Sequence, residues 1–300
     1  MTLSDPGSIW PGLVTTARTI RRGEAGYPSR LARVPDAPPE LRVRGELGTP
    51  QARVAIVGAR LADPYGLELA RELARDLARS GVSVVSGGAQ GIDAAAHEGA
   101  LAAGGHTVAV FGCGLDVTYP AGHEELFERI VASGGALVSE WEDGREATRW
   151  TFPRRNRIVA GMSDAVVVVR AGKKSGALLT AELARAAGTP LFAVPGDVTH
   201  PLSAGPIALL RAGAHLVASA ADVLGELGLA GQLEFPAEAM PDLAGPEKAM
   251  YAALGGAPRH ADELARETGL GAGPALAALL ELELSGLCEQ RPGHYFLRRP

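Results

Sequence analysis

Short apolar segments alternate with helix-like segments between residues 53 and 217, and this alternation restricts the possible folds more than any other feature. Short apolar runs are typical of buried strands, and apolar residues at helical spacing follow several of them. The pattern predicts βαβ units and hence an α/β fold in which helices cover both faces of a parallel sheet. The predicted strands are Val54–Val57, Val82–Val85, His106–Phe111, Ala136–Val138, Ala165–Val169, Leu191–Val194 and His215–Val217.

Four regions are predicted along the chain. Residues 1–26 are broken by glycines and prolines, so we expect an irregular N-terminal arm. Residues 27–225 are predicted to form the α/β domain, which contains the alternating pattern and the candidate binding residues. Residues 226–245 have prolines but no clear period, as in a linker. Residues 246–300 predict a winged helix-turn-helix domain, because three helices precede a hairpin. These elements are Glu247–Leu254, Ala261–Thr268, Gly273–Ser285 and a hairpin turning near Pro292 and Gly293.

Composition excludes several classes of protein. The formal net charge of −5 gives no general attraction to nucleic acid or to an anionic membrane, so any nucleic-acid site must be a local patch. Cys113 and Cys288 are far apart in sequence, which argues against a disulfide framework and fits a reducing cytoplasm. The first residues lack a signal-peptide pattern. No membrane span is expected, because no apolar run reaches about 18 residues.

Positive charge is concentrated around the predicted strand Ala165–Val169. Asp164 is the only acidic residue between Arg149 and Lys174. Such a cluster is typical of a polyanion site, although most charge runs are solvated surfaces. We favour the polyanion site because glycine and hydroxyl groups that can hold phosphate follow at once. The cluster consists of Arg149, Arg154, Arg155, Arg157, Arg170, Lys173 and Lys174.

Glycine-containing loops follow the predicted strands repeatedly, namely GAR, SGGAQG, GCGLD, KKSG and PGD. The carboxyl ends of parallel strands share one edge of a sheet, where open α/β sheets bind ligands. In GAR, Gly58 lets the backbone approach a ligand, and Arg60 can hold a phosphate with its planar guanidinium. A glycine after a strand is often only a turn, so Arg60 is a candidate mainly because other loops share its edge.

The SGGAQGID segment is a glycine-rich turn that leads into a helix. Amides at the helix N-terminus and the Ser86 hydroxyl predict an anion site, with Gly87 and Gly88 in the turn. The spacing matches neither G-x-G-x-x-G nor a Walker A loop, which argues against nucleoside triphosphate hydrolysis.

The KSGALLTAE segment predicts a second site of this kind. Lys174, Ser175 and the amides of the following helix can together hold one phosphate, close to Gly176. Thr180 lies one turn further on, where a packing or capping role is the alternative.

Catalytic and metal-binding patterns are not evident. Asp93 and His97 are four residues apart on one predicted helix face, and we favour a structural role for them over acid–base catalysis. Cys113 lies between two glycines and fits a tight turn better than a reactive thiol. No metal-ligand spacing and no G-x-S-x-G motif occurs, so neither a metal nor a cofactor is expected.

Several segments occur together in the order found in the DNA-processing protein A (DprA/Smf) family, which the chain resembles over residues 27–217. They are YPSRL, VAIVGAR, SGGAQGIDAAAH, GCGLDVTYP, FPRRNRIVAG, SGALLTAELA and AVPGD. The resemblance implies an extended Rossmann-like fold and a homodimer that binds single-stranded DNA. It also implies loading of RecA recombinase onto incoming strands during natural transformation, without catalytic activity. The C-terminal region matches a frequent appendage of the family.

The resemblance assigns contacts with the DNA backbone to particular residues. Arg60 matches the arginine of the family's G-S/A-R loop. Arg155 and Arg157 match the F-P-x-R-N-R motif, which includes Asn156 and is flanked here by Arg154. With the loop candidates, the predicted DNA-binding set is Arg60, Ser86, Gly87, Gly88, Arg154, Arg155, Asn156, Arg157, Lys173, Lys174, Ser175 and Gly176.

Three features depart from the family pattern. The N-terminal helical domain is missing or reduced to a short arm. The residue after the central strand, often glutamate in the family, is Arg170, which predicts a more basic edge. The third C-terminal helix, GPALAALLELELS, has no Lys or Arg. We therefore predict that this helix does not read duplex DNA and is available for protein contacts.

The preferred hypothesis is a non-enzymatic protein that holds the phosphates of a single strand, with Phe152 and Trp150 as candidates for base stacking. The main alternative is a Rossmann-fold nucleotide-binding hydrolase of the lysine-decarboxylase-like phosphoribohydrolase group, which needs a positioned carboxylate. The P-G-G-x-G-T-x-x-E signature of that group is not matched, because Glu182 is out of register. A third hypothesis is a scaffold protein whose basic patch is incidental.

Overall fold

The computed structural model describes residues 17–229, 243–255 and 257–298. The chain divides into two units, Met1–Glu234 and Phe235–Pro300, which agrees with an α/β region followed by a small C-terminal domain. Residues 1–16 of the predicted arm and residues 230–242 of the predicted linker lie outside the described residues. Within the described ranges, none of the helices combines the length and the apolar character needed to cross a bilayer.

A nine-stranded mixed sheet forms the centre of the first unit, and its parallel part is the sheet that the alternating pattern predicts. Its strands are β1 (Arg18–Arg21), β2 (Glu40–Gly45), β3 (Arg53–Val57), β4 (Ser83–Ser86), β5 (Thr107–Val110), β6 (Ala136–Ser139), β7 (Ala165–Val168), β8 (Leu191–Ala193) and β9 (His215–Leu216). The order across the sheet is β1-β2-β6-β5-β4-β3-β7-β8-β9. Strands β3 to β9 pair in parallel, whereas β1 and β2 add an antiparallel edge beside β6.

Helices cover both faces of this sheet. They are α1 (Ser29–Ala32), α2 (Pro64–Arg79), α3 (Ile92–Ala102), α4 (Glu124–Ala132), α5 (Thr151–Gly161), α6 (Gly176–Ala186), α7 (Ala204–Arg211) and α8 (Ala220–Glu226). Val54 and Ile56 of β3 contribute to one apolar core with α2, α3 and α8, and Ala55 and Val57 contribute to the other with α1, α5, α6 and α7. Because both faces are buried, the strands have continuous apolar sequences instead of alternating ones.

Among the elements that differ from the prediction, three have a clear physical reason. The described part of the predicted irregular arm contains β1, which is ordered by pairing with β2 and by burial of Ile20. Helix α5 is not predicted, because its arginines and Pro153 interrupt the helical pattern of apolar residues in the sequence. Packing of Ile158 and Val159 in the core stabilises this helix. Helix α8 follows β9 and begins at a capping box formed by Ser219 and Asp222.

The second unit has the winged-helix pattern that the sequence predicts. It contains α9 (Gly245–Ala253), β10 (Arg259–His260), α10 (Ala261–Thr268), α11 (Ala272–Leu284), β11 (Cys288–Arg291) and β12 (Tyr295–Arg298), with the strand order β10-β12-β11. The hairpin β11–β12 turns at Pro292 and Gly293, and Phe296 packs into a core made by the three helices. Leu276, Leu280 and Leu284 remain exposed on α11.

Candidate nucleic-acid interface

A cavity of about 480 Å³ lies where the loops after β3, β4 and β7 meet helices α5 and α6. These loops follow the carboxyl ends of parallel strands, so the cavity occupies the predicted ligand edge. Among the predicted site residues, its lining includes Arg60, Gly87, Arg155, Asn156, Lys174, Ser175 and Gly176. The others, Ser86, Gly88, Arg154, Arg157 and Lys173, do not line it.

Arg60 is exposed at the cavity and stacked on aromatic rings. Its guanidinium lies 4.8 Å from the centre of the Phe152 ring and donates a hydrogen bond to the Tyr119 hydroxyl at 3.2 Å. Gly58 is needed two residues earlier, because a Cβ there would overlap Ile92 and the Arg170 carbonyl. The aromatic contacts hold the Arg60 charge at the cavity without neutralising it.

The glycine loop after β4 is occupied by a carboxylate of the chain itself. The amides of Gly87 and Ala89 donate to Asp93 Oδ2 at 3.1 and 3.4 Å. Burial raises the pKa of Asp93, and the neighbouring Arg155 charge opposes this shift. The predicted anion site at the start of α3 therefore already holds an anionic side chain, which leaves these two amides unavailable to an external phosphate.

Two predicted members of the glycine loop are inaccessible. Ser86 is fully buried, and its Oγ donates to the Ile56 carbonyl at 2.6 Å. Gly88 is buried with φ of 67°, and its carbonyl accepts a hydrogen bond from His123. The prediction that the Ser86 hydroxyl faces a ligand is wrong, because β3 uses this hydroxyl to satisfy a backbone carbonyl.

Arg155 lines the cavity but is almost completely buried. Its Nη1 donates to the Val110 carbonyl at 2.8 Å, and the guanidinium packs so closely against Gly87 that no Cβ could be placed there. Burial lowers the pKa of Arg155, whereas the nearby Asp93 raises it. The charge of Arg155 is thus partly balanced by Asp93. Arg155 contributes to the cavity mainly through its positive electrostatic field and less as a hydrogen-bond donor.

Arg157 is buried in an ion-pair network instead of facing a ligand. Its Nη2 donates to Glu140 Oε2, and its Nε lies 3.1 Å from an Asp36 carboxylate oxygen. Arg154 is exposed, with a guanidinium nitrogen 3.7 Å from the same Glu140. The expected phosphate contact by Arg157 is not compatible with this burial, since its neutralising carboxylates would have to be displaced.

The start of α6 provides the second predicted anion site. The Ser175 side chain caps the helix by accepting from the Ala177 amide at 3.3 Å, and Asn156 Nδ2 donates to the Gly176 carbonyl at 3.1 Å. Lys173 and Lys174 are exposed, and neither has an ion-pair partner among the described residues. Lys174 lines the cavity, so this side of it carries positive charge.

Arg170 does not make the edge more basic, contrary to the prediction. Its Nε and Nη2 donate to the two carboxylate oxygens of Asp63 at 2.9 and 3.0 Å, and its Nη1 donates to Ser203 at 3.0 Å. Arg170 is buried, and its hydrogen bond lowers the pKa of Asp63. This bidentate pair neutralises the charge and fixes the loop that follows Arg60.

The residues considered for catalysis have structural contacts. Asp93 and His97 do not contact each other through a hydrogen bond; His97 Nδ1 lies 2.7 Å from the Thr107 hydroxyl, and burial lowers the His97 pKa to about 3. Cys113 is buried with its pKa raised to about 12 by burial, so it is an unreactive thiol. The described residues contain no group of ligands that could hold a metal ion.

Sequence reasoning missed Tyr119 and the hydrogen bonds that Asp93 accepts from the glycine loop. Tyr119 lies in the GCGLDVTYP segment, which follows a predicted strand at the ligand edge, and this position could have identified it as a site residue. For Asp93, the signal was a carboxylate in the first turn of a helix, where an anionic side chain is stabilised.

The fold and the site define a Rossmann-like protein with a basic cavity at the carboxyl edge of its sheet, followed by a winged-helix domain. Residues 18–228 match the family described as DNA recombination-mediator protein A, and residues 234–294 match the DprA winged helix domain. The chain belongs to the DNA recombination-mediator protein A family, which agrees with the resemblance seen in its sequence motifs.

The chain is similar in sequence to named members of this family. It is 46% identical over 250 residues to the putative DNA processing protein DprA of Mycobacterium tuberculosis H37Rv, covering 82% of this chain and 64% of that protein. It is 38% identical over 282 residues to protein Smf of Escherichia coli, covering 91% of this chain and 75% of that protein. The chain therefore spans about 64% of the length of the mycobacterial relative.

Two solved structures share the fold. DNA processing protein A of Streptococcus pneumoniae aligns with a TM-score of 0.65 and 37% identity, covering 70% of this chain and 74% of that chain. The Helicobacter pylori protein, described for its single-stranded DNA binding mode, aligns with a TM-score of 0.62 and 31% identity, covering 70% of this chain and 94% of that chain.

Proposed function

We propose that this protein binds single-stranded DNA at the cavity and acts without catalysis of its own. The observation that carries the proposal is the pair of cavity cations, Arg60 and Lys174, neither of which has a carboxylate within ion-pair distance among the described residues. Arg155 adds to the positive field, while Arg157 and Arg170 are neutralised by Glu140 and Asp63. We therefore propose that Arg60, Lys174 and their immediate neighbours make the DNA contacts.

A single strand fits this arrangement better than a duplex does. The cations lie within a cavity between loops, so a phosphate must enter between the strand ends and α6. A flexible strand can bend a phosphate into such a space, whereas duplex DNA is stiff on this length scale. We propose that Lys174, Asn156 and the start of α6 hold one phosphate and that Arg60 holds its neighbour, with Lys173 and Arg154 adding positive charge outside.

The nucleotide-hydrolase alternative is less well supported. It requires a carboxylate free to act on a bound nucleotide, and Asp93 is the carboxylate among the described lining residues. Both the Gly87 and the Ala89 amides donate to Asp93, which is buried. A carboxylate that closes a glycine loop has a structural task, so we infer binding instead of hydrolysis.

The wider biological functions are extensions of this proposal. The Helicobacter pylori relative is described as binding single-stranded DNA, which supports the same ligand here. We propose that the protein also loads RecA recombinase onto incoming DNA in natural transformation, acts as a homodimer and works in the cytoplasm. The buried thiols Cys113 and Cys288 are consistent with a reducing compartment.

Equilibrium binding of a labelled oligothymidine, measured by fluorescence anisotropy, tests the proposal. We expect the single strand to bind more tightly than a duplex of the same length, and the reversal Lys174→Glu to weaken this binding at least tenfold. A matched reversal at Arg211, exposed in the last turn of α7, should change affinity much less. Equal effects of the two reversals would favour a scaffold with an incidental patch, and release of ribose 5-phosphate from a nucleotide would favour the hydrolase.

A further inference from the structure

We propose that the nucleic-acid site continues outside the cavity onto a Trp–Arg surface that binds nucleobases of the same strand. This surface consists of Trp141, Arg145, Arg149, Trp150 and Arg154, from the segment that joins β6 to α5 and from the first turns of α5. The inference rests on the proposed function, since it extends the ligand of the cavity by further nucleotides. It adds Trp141 and Arg145 to the candidates from the sequence and assigns base stacking to Trp150.

The arginines and tryptophans of this surface are paired in space. The Arg149 guanidinium lies 4.7 Å from the centre of the Trp150 ring, and the guanidinium groups of Arg145 and Arg154 lie 5.0 and 5.7 Å from the centre of Trp141. Arg145 and Arg149 have no carboxylate partner within the ranges that the structure describes. Alternating aromatic rings and unpaired cations are the arrangement that single strands use for stacking and phosphate contact.

Trp150 is exposed outside the cavity, whereas Phe152 is half-buried and lines the cavity. The Trp150 side chain is 69% exposed, although burying a tryptophan is strongly favourable. Phe152 is already packed between the Arg60 guanidinium, the Tyr119 ring and the backbone at Gly112. Phe152 therefore supports Arg60 inside the cavity. The Trp150 ring, in contrast, has exposed surface on which a base can stack.

Local hydrogen bonds order the turn that carries Trp150. The Thr151 hydroxyl accepts from the Thr148 amide at 3.1 Å and donates to the Thr148 carbonyl at 3.0 Å, which closes a turn just before α5. Thr151 is buried, so its neighbours Trp150 and Phe152 leave the turn in different directions. Phe152 lines the cavity and Trp150 faces outward, which places the surface directly beside the cavity on the α5 side.

The rest of the connecting segment is also held in place. The Gly144 amide donates to both oxygens of Asp116 at 2.8 and 2.9 Å, and the Gly114 amide donates to the Arg145 carbonyl at 2.8 Å. Exposed acids on this segment restrict the path of a strand, because they repel phosphates. They are Glu142, Asp143 and Glu146, so we place the phosphates near Arg149 and Arg154, on the helix side.

Dependence on oligonucleotide length tests the proposal in the full-length chain. Oligothymidines of about 4 to about 16 nucleotides span the site sizes of single-strand binding folds. We expect Trp150→Ala to weaken binding of the longest oligonucleotide by about 5-fold to 150-fold, as expected for loss of one base–aromatic stack, and to leave the shortest unchanged. Trp150→Phe should restore most of the affinity, because a smaller ring still stacks. Binding of the long oligonucleotide should also quench tryptophan fluorescence in the unchanged protein, and by less in Trp150→Phe.

Tyr295→Ala is the matched control, since Tyr295 is an aromatic residue 43% exposed in the other unit. Tight binding that Trp150→Ala leaves unchanged at every length would overturn the Trp–Arg surface and leave the cavity proposal intact. An equal loss at every length would also overturn it, because Trp150 would then act within the cavity site itself. Failure of the unchanged protein to bind any oligonucleotide would instead refute the proposed function.

Discussion

Replacing Gly87 by alanine tests how the buried Arg155 is held beside the cavity. A Cβ at position 87 would overlap the Arg155 guanidinium, so the guanidinium would have to move away from the Val110 carbonyl, to which it donates at 2.8 Å. Displacing it breaks a charged hydrogen bond, worth about 1.5–3 kcal/mol, and adds the strain of an overpacked interior. We therefore expect Gly87→Ala to lower the free energy of unfolding by about 2–4 kcal/mol.

Urea denaturation followed by circular dichroism measures this loss as a shift in midpoint at constant slope. Gly176→Ala is the matched control, because a Cβ at position 176 would have no heavy atom within 4 Å. The control should change stability by no more than about 0.5 kcal/mol. Equal stability of the two variants would refute the packing of Arg155 against Gly87.

A double-mutant cycle separates this contact from a general effect of alanine. In Arg155→Met the guanidinium is absent, so adding Gly87→Ala should cost at least about 1 kcal/mol less than it does in the unchanged protein. Additivity within about 0.5 kcal/mol would show that the two positions are independent and would contradict the proposed contact.

Three further predictions concern the Arg157–Glu140 pair, the buried His97 and the C-terminal domain. Arg157→Gln removes the buried guanidinium that pairs with Glu140 and leaves the exposed Arg154, 3.7 Å away, beside this carboxylate. It should lower the free energy of unfolding by about 1.5–3 kcal/mol, whereas Arg154→Gln should lower it by about 0–1 kcal/mol; similar urea midpoints would contradict the buried pair. Because burial lowers the His97 pKa to about 3, its contribution to stability is present above pH 6.5 and is lost as pH falls toward 3. In His97→Gln the free energy of unfolding should fall less steeply with decreasing pH, by up to about 1.4 kcal/mol per pH unit. An unchanged slope would be inconsistent with a buried neutral imidazole. A fragment of residues 245–300 should not shift duplex DNA on a gel, since α11 has no Lys or Arg; tight binding would refute this.

Much of the fold could be predicted because its signals are local in the sequence. The buried strands β3 to β8 appear as short apolar runs, and both face-covering helix layers follow from the alternation. Helix α5 could not be predicted in the same way. Its stability comes from the core contacts of Ile158 and Val159, while its own sequence carries Pro153 and several arginines.

The location of the candidate site could be predicted from the sequence, but which of its cations lack a carboxylate partner could not. The loop positions identified Arg60 and Lys174 correctly as lining residues of one cavity. Whether an arginine is free depends on carboxylates that are distant in sequence: Arg170 pairs with Asp63, which is 107 residues away. Arg157 likewise pairs with Glu140, and no local pattern indicates either partner.

Binding of a labelled single strand across a salt series, in the unchanged protein and in Arg60→Ala, tests the central proposal most directly. Each lost phosphate contact should reduce the slope of log affinity against log salt by about 0.7 for a single strand. We predict strand-selective binding that weakens steeply with salt, and a lower affinity with a slope shallower by about one contact in Arg60→Ala. Arg211→Ala, at an exposed position in the last turn of α7, should leave both quantities unchanged. Absence of single-strand binding at low salt, or the same affinity and slope in Arg60→Ala as in the unchanged protein, would contradict the account.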